Sequence, residues 1–236
     1  MSARFEELAS SDTPMGVISL RRRLEPTRDL DVYEVKLGDE FLMSSLFTVA
    51  EVELARLGLA ACDGAELDVL VGGLGLGYTA RAVLDDPRVR SLTVVEALEE
   101  VVAWHQQGLL PEAQALTSDP RTRLVTGDFF ALIAGEPGII AEAPVSRFHA
   151  VLVDIDHTPD HVLDPSHAAF YTPAGLRQLT RHLHPGGVFG LWSDDPPDEG
   201  FTATLDEVFT SSQAHVVTFR NFYTGGESAN TVYVAS

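Results

Sequence analysis

The chain has 236 residues, 45% of them hydrophobic, with a formal net charge of −19 at pH 7, enough for one sizeable core with a short appendage rather than two full domains. Such acidity repels a phosphate backbone and excludes nucleic acid as the expected partner, leaving a neutral or cationic small molecule, although it also serves solubility alone. No apolar run approaches the ~20 residues that span a bilayer, the opening "MSARFEELASSDTP" lacks the layout of a signal peptide, and Cys62 is the only cysteine; a soluble, cytoplasmic protein with no internal disulfide, no cysteine-built zinc site and no membrane partner is expected.

In chain order, "GVISLRRRL" and "DVYEVKLGDEFLMSS" indicate a small β appendage over residues 1–47. Within it, Arg21, Arg22 and Arg23 read as charges guarding an edge strand against pairing. A helix follows from about Thr48 to Ala61, its apolar positions repeating at helical spacing. From Leu67 onward strands and helices alternate. "LDVLVGG", "SLTVVE", "TRLVTGD", "FHAVLVDID" and "GGVFGLWSD" are continuous apolar runs, the pattern of parallel strands covered on both faces. Helices are expected at Tyr78–Leu84, Leu98–Gln107, Phe129–Ala134, Pro165–Leu183 and Thr202–Phe209, with "SDDPPDEG" as a loop. "AHVVTFR" and "NTVYVAS" follow one another across a glycine-bearing turn and make an antiparallel hairpin. The order predicts an α/β, doubly wound, seven-stranded and mostly parallel sheet over residues 48–236.

The first strand of that sheet breaks into glycines and then becomes helical, "LVGGLGLGYTARAVL", which opens space for a ligand against the free N–H groups of a helix start. Packing alone would also account for such a turn. A dinucleotide fingerprint G-x-G-x-x-G/A fits only from Gly75 through Gly77 to Ala80 and strands three residues as a spacer. Counting from Gly73 through Gly75 to Gly77 instead gives G-x-G-x-G, the pattern of S-adenosylmethionine-type nucleoside sites. Glu96, at the end of the next strand, suits a pair of ribose hydroxyls in either fold. Asp128, at the end of the third, suits an adenine amino group or, equally, a helix N-cap.

With "VLVGGLGLG", "VVEALEEV", "GDFFAL", "FHAVLVDIDHTP" and "HLHPGGVFGLWS" in this order, the chain resembles the spermidine synthase (polyamine aminopropyltransferase) family from about Leu67 to the C-terminus. The resemblance implies the class I methyltransferase fold, a possible homodimer, and transfer of an aminopropyl group from decarboxylated S-adenosylmethionine to an amine. It makes Asp154, the first acid of the family's D-S-x-D-P signature, the catalytic base. The signature's second acid, which binds the amine, falls on His157, with Asp156 one place earlier. Gly75 stands where the family's glycine loop carries an Asp, and "FLMSSLF" where its linker carries a Tyr-His pair. A loop without that Asp also suits the carboxylate of ordinary S-adenosylmethionine.

A sulfonium is already activated toward displacement, so the protein's task is alignment. An amine nucleophile, with a pKa near 10, arrives protonated and needs a carboxylate to hold it and take its proton. Asp154, at the carboxyl end of its strand, is in place to do so, or to cap its loop. Asp156, Asp194 and Asp195 share the rim and form a vestibule for a cationic substrate, or simply solvate loops, and His157 is placed to touch the substrate. Tyr78 and Trp192 line the cavity or pack in the core. The segment from Ile155 to Ser166 reads as a lid, and His184 as the mark of a turn. Asp154, Asp156, His157, Asp160 and His161 crowd one loop without clear metal-ligand spacing, so no metal is assigned. Three functions remain open: an aminopropyltransferase, an S-adenosylmethionine-dependent methyltransferase acting on a small molecule, and a nucleoside-binding module without catalysis.

Overall fold

The computed structural model describes residues 5–138 and 146–236. Residues 1–4 of the expected appendage lie outside the described residues. Phe5–Thr13 (β1), Gly16–Glu25 (β2), Leu30–Leu37 (β3) and Glu40–Ser44 (β4) form an antiparallel sheet in sequential order. The arginines do not guard an edge, because β2 is paired on both sides. Arg22 meets Glu6 on β1 at 2.5 Å, and Arg23 meets Glu34 on β3 at 2.6 Å. Facing carboxylates on the neighbouring strands are what make the basic run tolerable at an inner position.

The helix Val49–Ala60 (α1) leads into the second sheet. Its strands are Leu67–Gly72 (β5), Val89–Glu96 (β6), Thr122–Thr126 (β7), Phe148–Val153 (β8), Leu183–Ser193 (β9), Ser212–Asn221 (β10) and Gly226–Ala235 (β11), in the order β10-β11-β9-β8-β5-β6-β7. Pairs from β7 to β9 are parallel, and β11 joins β9 and β10 antiparallel, as expected. The continuous apolar runs have a direct cause. Val69, Val71, Ala150 and Leu152 pack into one core cluster, while Leu70, Val151 and Val153, pointing the other way, pack into a second. Among the described residues, no helix is long and apolar enough to cross a membrane.

The covering helices are Tyr78–Leu84 (α2), Glu99–Gln106 (α3), Ala113–Ser118 (α4), Phe129–Ala134 (α5), Pro173–Thr180 (α6) and Glu199–Asp206 (α7). Two expected helices differ. The span Pro165–Leu183 splits into a 3₁₀ turn, Pro165–Ala169, and α6, with Leu183 already in β9. Pro173 forces the split: it holds Thr172 extended (φ −92°, ψ 160°), and the Thr172 side chain caps the new helix by accepting from the Gly175 N–H. The last helix starts three residues before the expected Thr202 because Asp198 caps it, accepting from the Phe201 N–H at 2.7 Å.

Candidate active site

Strands β5, β6 and β8 end side by side, and their C-terminal residues are stitched together by the backbone. The Asp154 N–H donates to the Gly72 carbonyl at 2.9 Å, and the Gly73 N–H to that of Val95 at 2.9 Å. Gly73, at φ +91°, lies so close to the Asp154 carbonyl that any Cβ would overlap it. Gly75 (φ +47°) faces the Met43 thioether, whose Sδ stands 2.7 Å from where a Cβ would be. The glycine turn thus makes two close approaches, one to the neighbouring strand end and one to β4 of the first sheet.

Two adjoining chambers open at this rim. The first, of about 310 Å³, is lined by Gly73, Gly75 and the polar side chains of Glu96, Asp128, Asp154, Asp164, Ser166 and His167, and the first sheet roofs it with Ile18, Val35 and Met43. Glu96 holds the turn in shape, its Oε2 accepting from the Leu74 N–H at 3.0 Å and the Gly75 N–H at 3.4 Å and its Oε1 from the Leu98 N–H at 3.0 Å. Burial pushes its carboxyl pKa up, against the pull of those amides. His105 on α3 braces the same turn through Nε2, 2.9 Å from the Gly75 carbonyl, and burial lowers its pKa, which favours the neutral ring. Asp128 caps α5 by accepting from the Ala131 N–H and also lines the chamber, so the N-cap leaves it at the cavity wall.

The second chamber, of about 330 Å³, shares Leu42, Met43, Gly75, Asp154, Ile155 and Leu163 with the first. Glu51, Gly77, Tyr78, His157, Trp192 and Asp194 also line it. Asp154 is therefore on the common wall. Its Oδ2 accepts from the Thr79 hydroxyl at 2.6 Å. Glu51, in the first turn of α1, was missed by sequence reasoning, although it carried a signal. It lies on the stripe of Leu54, Ala55 and Gly58, the buried face of the helix, where a charge is out of place. Asp194 is exposed, its Oδ1 accepting from Asn230 Nδ2 at 2.7 Å. His157 Nε2 is 3.2 Å from Glu40 Oε1 at the mouth.

Burial pushes Glu51 up to about 8, with the charges of Asp154 and Asp194 adding to it; burial likewise pushes Asp154 up to about 6, against the Thr79 hydrogen bond. Both values lie above the ordinary 4.5 and 3.8, so the folded chain binds these protons more tightly than the unfolded one. The contribution to stability is complete below about pH 4 and is lost as pH rises through 6 and 8. The midpoint of urea unfolding is expected to fall as pH rises from about 4 to 8, and Glu51→Gln should flatten that slope.

Asp156 is the expected site residue that the structure removes from the cavity. It is 1% exposed and lines neither chamber. Its Oδ1 accepts from the Leu163 N–H at 2.7 Å and His167 Nδ1 at 2.8 Å, and its Oδ2 from the Tyr171 hydroxyl at 2.8 Å. Those three donors turn it away from the rim and tie down the segment read as a lid. Asp195 is exposed and lines neither chamber. His184 lies near His149 and Asp68, with imidazole centroids 4.4 Å apart, and the Asp68 carboxylate is held by Arg90 and Ser91.

No known protein-family profile matches the chain. It is similar to Polyamine aminopropyltransferase 2 of Pseudomonas aeruginosa, at 30% identity over 161 residues that make up 66% of this chain and 43% of that protein. It is also similar to Putrescine N-methyltransferase 3 of Nicotiana tabacum, at 27% identity over 57% of this chain and 32% of that one. These matches span less than half the length of the curated relatives. Among solved structures, the spermidine synthase of Thermotoga maritima superposes with a TM-score of 0.71 at 18% identity, over 98% of this chain and 72% of that one. The fold is shared along almost the whole length.

Proposed function

We propose that this spermidine synthase-like chain, built on the class I methyltransferase fold, is a transferase that moves an aminopropyl group from decarboxylated S-adenosylmethionine to an amine. The observation that carries the reading is the position of Asp154 on the wall between two chambers, the first also lined by Glu96 and Asp128 and the second by Glu51 and Asp194. Glu96 would take the sugar hydroxyls. A carboxylate offers about four acceptor positions; two are used by the turn and one by the Leu98 N–H, and the 3.4 Å contact to Gly75 is the one to yield. Asp128 keeps its second oxygen for the purine amino group while capping α5. Asp154 then receives the proton of the incoming amine while the amine nitrogen attacks the carbon beside sulfur, and the C–S pair leaves on the thioether. Alignment across the shared wall supplies most of the remaining advantage.

In this reading the sheet within residues 1–47 is an appendage that roofs the site, and residues 48–236 form the transferase domain. The acceptor is a cationic amine, neither nucleic acid nor a membrane has a role, and the working form is a cytoplasmic homodimer. Light scattering on the purified chain tests the last point.

A second reading, methyl transfer from S-adenosylmethionine, is favoured by one observation. Beyond Gly75 the space is filled by the Met43 thioether, and no carboxylate stands there to hold the free amine of the decarboxylated donor. Incubation of the chain with each donor and putrescine, followed by mass spectrometry, separates the readings. Methylthioadenosine and an aminopropylated diamine are expected. S-adenosylhomocysteine and a methylated diamine would select the second reading, and a donor that binds without turning over would leave a nucleoside-binding module.

A further inference from the structure

The second chamber has an unbalanced charge. Glu51 from α1, Asp154 after β8 and Asp194 after β9 all face it, and its lining includes no lysine or arginine. The other titratable groups turned toward Glu51 are Tyr78 from α2 and, at the mouth, His157 paired with Glu40. The Asp154 carboxylate has a donor in Thr79 and that of Asp194 has one in Asn230. Among the described residues, none donates a side-chain hydrogen bond to Glu51. The Thr79 hydroxyl, 3.3 Å from the Glu51 backbone carbonyl and 2.6 Å from Asp154 Oδ2, fixes α2 against both acids. A half-buried carboxylate whose only donor is its own backbone N–H, beside a second carboxylate, is a costly arrangement that a bound cation would relieve.

We propose that Glu51 is a specificity-determining residue, the second carboxylate of a clamp that, with Asp154, takes the reacting ammonium of the acceptor and refuses neutral nucleophiles. The proposal rests on the amine-acceptor reading above. It also accounts for His157 at the place where the family resemblance implies the second amine-binding acid: here that charge comes from α1, another element of the chamber lining. Near neutral pH the empty pair keeps one proton between its two carboxyls. An arriving ammonium makes both ionise, and the displaced proton goes to solvent. In the chemical step Asp154 takes one proton from the ammonium nitrogen, the nitrogen lone pair forms the new C–N bond, and the C–S electron pair stays on sulfur. A secondary ammonium, a neutral thioether and one proton are the products.

The test uses the full chain with methylthioadenosine bound and putrescine as probe. Calorimetry in buffers of different ionisation heat at pH 7 should show net proton release on diamine binding by the wild type and little or none by Glu51→Gln. In turnover, Glu51→Gln should raise KM for putrescine about ten- to a hundredfold, the range of a lost charged hydrogen bond, with a smaller fall in kcat. Glu51→Asp should recover part of the KM and of the proton release, which a purely structural role would not. If Glu51→Gln folds with the wild-type KM and proton count, the assignment of Glu51 is overturned while the transferase reading stands. If Glu51→Gln is unstable, an Asp variant with wild-type KM and proton count overturns it equally. If the wild type neither binds nor alkylates the diamine, the acceptor reading fails and takes the clamp with it.

Discussion

Asp154→Asn is expected to fold, to bind the donor nucleoside and to lose turnover by about 10²- to 10⁴-fold, the range for removal of a general base. The amide keeps the size of the side chain and can still accept from the Thr79 hydroxyl, so the strand end and the shared wall should keep their shape. What it cannot do is take a proton from the acceptor. Because burial holds the Asp154 carboxyl near 6, the rate of the wild type should rise with pH through that value before any other group intervenes. Titration calorimetry with the donor, a pH–rate profile and a melting curve on the same preparation check the prediction. Loss of donor affinity in proportion to rate would show that Asp154 serves the chamber's shape and not its chemistry.

Two residues further on, the loss of an aspartate has a different consequence. Asp156→Ala should lower stability by about 3–5 kcal/mol, the cost of breaking a buried charged network, equivalent to roughly 10 °C in Tm for a chain of this size. Removing the carboxylate leaves the Leu163 N–H, the His167 imidazole and the buried Tyr171 hydroxyl without their acceptor. Leu163 and His167 also line the first chamber, so under the proposed function donor affinity should fall with stability. Asp156→Asn, which retains one acceptor oxygen, should fall between the wild type and the alanine variant. Scanning calorimetry decides the matter, and a Tm within a degree of wild type for Asp156→Ala would contradict the hub.

These neighbouring acids show where sequence reasoning succeeds and where it stops. The unbroken apolar runs identified the central strands, because a strand covered on both faces needs apolar side chains at successive positions. The glycine turn, Glu96 and Asp128 were legible because each follows a strand end, where an open α/β sheet gathers its ligands. The direction of Asp156 was not legible. It depends on three donors 7, 11 and 15 residues away that only the folded loop assembles. The inner position of Arg21–Arg23 was hidden in the same way, since the acidic partners lie on strands either side of β2. Glu51 is intermediate: its place on the apolar stripe of α1 is written in the sequence, but the acids it faces come from the ends of β8 and β9. Pro173 and Asp198 were local signals, and the two misplaced helix boundaries follow directly from them.

A crystal structure of the chain soaked with methylthioadenosine, the thioether left behind by aminopropyl transfer, tests the central claim most directly. The account predicts the ribose hydroxyls on Glu96, the purine amino group at Asp128, and the sulfur at the shared wall turned toward Asp154, with the Gly75 N–H released from Glu96. A nucleoside bound with its sulfur directed away from Asp154, or no nucleoside in the first chamber at saturating ligand, would contradict it.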